Sequence, residues 1–103
     1  DQVIAVSGGP KRDMLQKMIS KQLEQVIHDR ETVVAEKDAR EFITVAGEEM
    51  DGVTAEVIVP IICEGDPIGA VALLSRDPKA KPGEAELKLV STAAGFLGRQ
   101  MEG

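Results

Sequence analysis

The chain has no tryptophan, no tyrosine and only two phenylalanines, Phe42 and Phe96. Proteins that grip unpaired bases or flat cofactors stack them on aromatic rings, and this chain has almost none to offer. It has one cysteine, Cys63, so no disulfide can close within it. That usage fits a reducing compartment and predicts a cytoplasmic setting. His28 is the one histidine. A single His and a single Cys do not make a structural zinc site, so no metal is expected. No apolar run approaches the ~20 residues of a membrane helix, and no signal segment opens the chain. Positive charge is also short. Twelve Lys and Arg against 18 Asp and Glu leave a net charge of −6. A phosphate backbone is repelled by such a surface, so direct nucleic-acid contact and membrane contact are both unexpected.

What is present is an ordinary globular composition, 43% hydrophobic over 103 residues. That is enough for one domain with a single core. The chain opens at Asp1 rather than Met and runs almost at once into Val3-Ile4-Ala5-Val6. We read it as a piece of a longer protein.

Val3 to Val6 is short and rich in β-branched residues, and Ser7-Gly8-Gly9-Pro10 stops it, which predicts a strand and a turn. A helix is predicted from about Lys11 to His28. Its apolar residues Met14, Leu15, Met18, Ile19, Leu23, Val26 and Ile27 cover well over half of the circumference at ~100° per residue. Residues 29–41 are heavily charged around Thr32-Val33-Val34-Ala35, an edge strand or an exposed loop. Phe42 to Val45 reads as a strand, and Glu48, Glu49, Asp51 and Gly52 as an acidic turn. Val53 to Cys63 is the strongest strand signal. Its core, Val57-Ile58-Val59-Pro60-Ile61-Ile62, is continuously apolar, as where both sheet faces are covered. Pro60 lacks an N–H and calls for a bulge or an unpaired side. Glu64-Gly65-Asp66-Pro67 supplies turn chemistry, and Ile68 to Ser75 returns as the second strand of a hairpin. A second helix runs from about Glu84 to Met101, with acidic residues at its positive end.

The predicted fold is α+β, an antiparallel sheet with N- and C-terminal helices packed on it. Both helices carry apolar faces wider than one sheet contact requires. In the second, Leu87, Val90, Ala94, Leu97 and Met101 form one stripe, with Leu89, Ala93 and Phe96 beside it. We therefore expect a homo-oligomer, a dimer or tetramer, with Leu87, Val90, Ala94, Leu97 and Met101 meeting Leu15 and Ile19 along a helix seam. Ala94 and Gly98, one turn apart, leave room for another helix to approach.

The residues that could carry chemistry have plainer readings. Ser7 to Arg12 could hold an anion at a helix start, but it lacks both glycine-rich phosphate motifs and reads as a turn. A catalytic Cys63 needs a base, and nothing in the sequence places His28 beside it. His28 suits the negative end of its helix. Glu48, Glu49, Asp51 and Glu56 match no calcium loop and read as a solvated acidic turn. No catalytic constellation and no cofactor site emerge, so the chain is not expected to be an enzyme.

Pro60-Ile61-Ile62, Gly65 and Pro67-Ile68-Gly69-Ala70-Val71 together resemble the central hairpin of GAF domains, small sensory modules with an antiparallel sheet and terminal helices. Two further segments sharpen the likeness: Ile4 to Gly9 ahead of a helix, and Thr92 to Glu102 at the end. Over nearly the whole chain the sequence resembles the C-terminal domain of the stage V sporulation protein T family, transcription regulators of endospore-forming bacteria. The resemblance implies a single GAF-like regulatory domain over residues 1–103, lacking its first helix and strand. It also implies a swapped-hairpin DNA-binding domain upstream, outside this chain, and helices that pack between subunits. It transfers no ligand. The lone cysteine and the scarce aromatics depart from the methionine-sulfoxide-reducing and bilin-binding members. We expect a regulatory and oligomerisation domain that answers to an unidentified small-molecule effector. A ligand-free assembly scaffold and a small thiol-dependent enzyme are the alternatives.

Overall fold

The computed structural model describes residues 3–8, 11–15, 21–43, 52–79 and 81–102, the first two of these segments by their backbone path. In chain order the elements are β1 (Val3–Gly8), β2 (Lys11–Leu15), α1 (Lys21–His28), β3 (Val33–Glu36), β4 (Ala55–Cys63), β5 (Asp66–Ser75) and α2 (Glu84–Gln100). The strands form one sheet in the order β2-β1-β5-β4-β3. The class is α+β.

The predicted hairpin is the centre of this sheet. β4 and β5 pair antiparallel from Ala55↔Ser75 to Cys63↔Asp66. Glu64 (φ 51) and Gly65 (φ 85) make the two-residue connection, both with the positive φ of a tight hairpin turn. Asp66 and Pro67 already belong to the returning strand. The register slips between Ile61 and Ile62, where Ile68 is the extra residue of a bulge. β3 pairs with β4 only as far as Ile58, so Pro60 lies beyond the end of the edge strand and its missing donor costs no bond there.

The sheet is not wholly antiparallel as expected. β1 runs parallel to β5, from Val3↔Gly69 to Ser7↔Leu73. Most of the chain lies between those two strands, and a parallel pair needs such a long crossover.

The long first helix also divides. Lys11–Leu15 is a strand, β2, paired antiparallel with β1 from Ile4↔Leu15 to Gly8↔Lys11. Among the described residues of that stretch, Lys21–His28 are helical. Met14 and Leu15, which widen the predicted apolar arc, belong to this strand, and Met18 falls outside the described residues. What remains on α1 is Leu23, Val26 and Ile27, spaced by three and one, all buried against the sheet. α1 therefore has no apolar surplus for a partner. Leu15 lies on a strand opposite Ile4, not on a helix, and Ile19 falls outside the described residues. The predicted anion site loses its helix start, since Lys11 opens β2. Phe42 and Ile43 lie outside any strand, half-buried against the core. Residues 44–51, with Glu48, Glu49 and Asp51, fall outside the described residues.

Among the described residues, each face of the sheet carries one helix. Alternate residues Ile58, Ala70, Ala72 and Leu74 pack with Leu23, Val26 and Ile27 of α1. Val57, Ile61 and Val71 point the other way and pack with Val90 and Ala94 of α2. This two-sided cover is why β4 and β5 read as continuous apolar runs. α1 ends in a Schellman motif. The Glu31 amide donates to the Val26 carbonyl and the Arg30 amide to the Ile27 carbonyl, each at 3.0 Å. Arg30 occupies the left-handed position (φ 57) that glycine favours. Its guanidinium reaches across to the Gly65 carbonyl at 2.9 Å, tying the end of α1 to the hairpin tip.

Candidate functional site

α2 begins where Glu86 folds back and accepts a hydrogen bond from the Gly83 amide at 3.1 Å. Glu84 and Glu86 lie at the positive end of the dipole and Arg99 at the negative end. Val90, Ala94 and Gly98 are buried, and Leu87, Ala93 and Leu97 pack half-buried around them against β4 and β5. Thus four of the seven predicted seam residues, Leu87, Val90, Ala94 and Leu97, lie on α2's contact with its own sheet. Met101, just past the helix, is 42% exposed. The close approach foreseen at Ala94 and Gly98 is made by a strand rather than a helix: Gly98 sits on the backbone of Ile62.

The apolar surface α2 leaves open is the neighbouring stripe. Leu89 is 64% exposed and Phe96 54%. They are two turns apart on one line, roughly 100° around the helix from Val90. Half-buried Ala93 lies between them and the buried stripe.

A second feature is an open groove of about 540 Å³ between the end of α1, the start of β3 and the connection that follows it, lined by Val26, Thr32, Val33, Arg40, Glu41 and Ile43. Its walls mix apolar side chains with one cation, Arg40, and two carboxylates, Glu31 and Glu41.

Glu56 was grouped by sequence with the solvated acidic turn. In the structure it stands in β4 and is 1% exposed. It shares the α1 side of the sheet with Ile58, flanked by Ala35 on β3 and Leu74 on β5. One carboxyl oxygen accepts the Ile43 amide at 2.7 Å. The other is buried and, among the described residues, has no hydrogen-bond partner. Burial pushes its pKa up to about 7, against a smaller downward pull from the Ile43 amide. Strand parity is the signal that could have found it: a residue two before Ile58 shares Ile58's face.

Cys63 ends β4, half-buried. Desolvation, and then the carboxylates Glu64, Glu102 and Asp66, push its thiol pKa up. A nucleophilic thiol needs the opposite environment. His28 is the last residue of α1, exposed, with Nδ1 3.2 Å from Asp29. Gln25, and then His28, hold the Asp29 carboxyl below its ordinary range. Among the described residues no cluster of three or more His, Cys, Asp or Glu could hold a metal ion, and no helix is long and apolar enough to cross a membrane.

Residues 1–102 match the family described as stage V sporulation protein T C-terminal, transcription factor. The chain belongs to this family. It is 47% identical over 102 residues to stage V sporulation protein T of Bacillus subtilis (strain 168), an alignment covering 99% of the chain. The chain spans about half of that relative, 55% of its length. In this member of the stage V sporulation protein T C-terminal family, the match takes in both strands of the β4–β5 hairpin, α1 and all of α2.

Proposed function

We propose that this chain is the GAF-like regulatory and self-association unit of a sporulation transcription regulator, acting in the cytoplasm on a DNA-binding segment elsewhere in a longer protein. The observation that carries the reading is the Leu89–Phe96 stripe. Two large apolar side chains stand in water beside a helix face already seated on its own sheet. Such a stripe gains most from a second apolar surface, and a second copy of the same chain supplies one. Pairing of α2 helices would set the spacing of the attached DNA-binding segments. A net charge of −6 suits a unit that leaves DNA contact to another segment.

The test is sedimentation of Leu89→Asp and Phe96→Asp variants. The parent is expected to assemble, and both variants to sediment as smaller species with unchanged circular dichroism. Variants that assemble like the parent would remove the reading.

The groove beside β3 favours a second role, binding of a small effector that biases the α2 contact. A thermal-shift panel separates that from a ligand-free scaffold. A ligand at 100 times its Kd adds about 2.7 kcal/mol to stability. No shift across the panel would favour the scaffold.

A further inference from the structure

Glu56 combines three features that do not sit together at rest. It is a carboxyl, it is 1% exposed, and one of its two oxygens has no hydrogen-bond partner among the described residues. A carboxylate placed there lacks the donors that would replace its lost water. The groups that face it do not help. β3 presents Ala35, β5 presents Leu74, and α1 adds Leu23, Val26 and Ile27 to the same apolar cluster. The ionisable residues of those elements point elsewhere. Glu36, Asp66, Lys21, Glu24 and His28 are exposed, as are Arg40 and Glu41 of the connection after β3. The polar contact Glu56 does make is with the backbone amide of Ile43, at 2.7 Å.

Ile43 connects this carboxyl to the surface. It and Phe42 roof the α1 side of the core, and Ile43 also lines the groove between α1 and β3. The segment is held by two amide bonds, from Ile43 to Glu56 at 2.7 Å and from Phe42 to the Ala39 carbonyl at 3.1 Å, and by two half-buried side chains. The Ile43 bond is its tie to β4, and so lightly held a segment is a low-stability element of the fold.

We infer that Glu56 and the Ile43 amide form a proton-operated latch on the wall of the β3 groove. While the carboxyl keeps its proton, it can remain buried and the Phe42–Ile43 segment stays seated. When the proton leaves to solvent, one oxygen keeps the Ile43 amide but the other stays buried as a charge with no donor among the described residues. Water solvates both oxygens, replacing the Ile43 amide on one of them, once the Phe42–Ile43 segment lifts off β4, and the lift reshapes the groove. The change is a population shift, driven by the difference in proton affinity between the seated and lifted forms. With a seated pKa of about 7, the shift falls within a range that cells reach. The latch does not depend on the α2 reading, because α2 lies on the other face of the sheet.

Amide hydrogen exchange in the 103-residue chain tests it. Ile43 protection, taken relative to the intrinsic exchange rate at each pH, is expected to fall by about tenfold or more between about pH 5.5 and 8.5. The Ile58 amide in β4 serves as reference and should change much less. The midpoint for Ile43 should coincide with the midpoint of the Glu56 carboxyl signal, read by carbon NMR. Glu56→Gln keeps an acceptor for the Ile43 amide but cannot ionise, and should hold Ile43 protection flat. Three results would each overturn the latch: flat protection in the parent, the same fall in the Gln variant, or a Glu56 midpoint in the ordinary carboxylate range. If the variant does not fold, the two midpoints in the parent still decide, since a mismatch rules the latch out.

Discussion

Gly98 of α2 lies so close to Ile62 of β4 that a Cβ on it would overlap the Ile62 carbonyl oxygen and stand 3.3 Å from the carbonyl carbon. The obstacle is backbone, which cannot rotate aside. In an open helix, Gly→Ala gains up to about 1 kcal/mol in propensity. Here the overlap must push α2 off the sheet, at about 1–3 kcal/mol for overpacking. Gly98→Ala is therefore expected to lower the urea midpoint without changing the slope. A raised midpoint would show that α2 can slide away at no cost.

Glu64 sits at the first position of the hairpin turn with φ 51, a conformation that costs most side chains energy and that asparagine tolerates. Glu64→Asn is expected to stabilise the protein by up to about 1 kcal/mol. Gly65→Ala, at φ 85 with open space around it, should destabilise by a similar amount through backbone strain alone. Thermal melts of the two variants should move in opposite directions.

The pH dependence of stability follows from Glu56. Its pKa in the folded state, about 7, lies above its ordinary 4.5. The native state thus holds a proton that the unfolded chain gives up. The stability this contributes is complete below about pH 4.5 and is lost as pH rises through about 7. The span corresponds to about 3 kcal/mol. Urea unfolding at several pH values should show that decline, and Glu56→Gln should flatten it.

Neighbours on α2 should separate folding from assembly. Leu97 packs half-buried on the cluster of Val57, Ile61 and Val71. Leu97→Asp is expected to destabilise the chain by about 2 kcal/mol or more, whatever it does to association. Phe96→Asp stands in water and should leave the melting temperature within a few degrees while altering sedimentation. Equal loss of stability in both would mean that Phe96 supports the fold rather than a contact.

The hairpin and α2 were legible because their signals agree at every level. A continuous apolar run from Val57 to Ile62, turn residues at Glu64-Gly65 and threes-and-fours spacing after Glu84 each permit one reading. Lys11 to His28 was not, because Met14, Leu15, Met18 and Ile19 stand at helical spacing and show no strand alternation. Only pairing with Ile4 and Ala5 turns Lys11–Leu15 into β2. Which apolar stripe of α2 faces the sheet was also hidden. The stripe of Leu87, Val90, Ala94 and Leu97 and that of Leu89, Ala93 and Phe96 are equally apolar. The choice falls to Gly98, which lets the helix down onto Ile62 on one side. Glu56 was obscured by the acidic residues that precede it in the sequence.

The place of β1 in the sheet bears on how the chain assembles. β3, β4 and β5 lie next to one another in sequence as well as in space, so they can form a meander by themselves. β1 leaves the ribosome before the other strands described, yet its slot between β2 and β5 does not exist until Ser75 has been made. An earlier strand must therefore wait for a later one, its Val-Ile-Ala-Val segment unpaired on the β5 side meanwhile, and closing so large a loop is slow. Nascent-chain aggregation and demand for chaperones should concentrate in that interval.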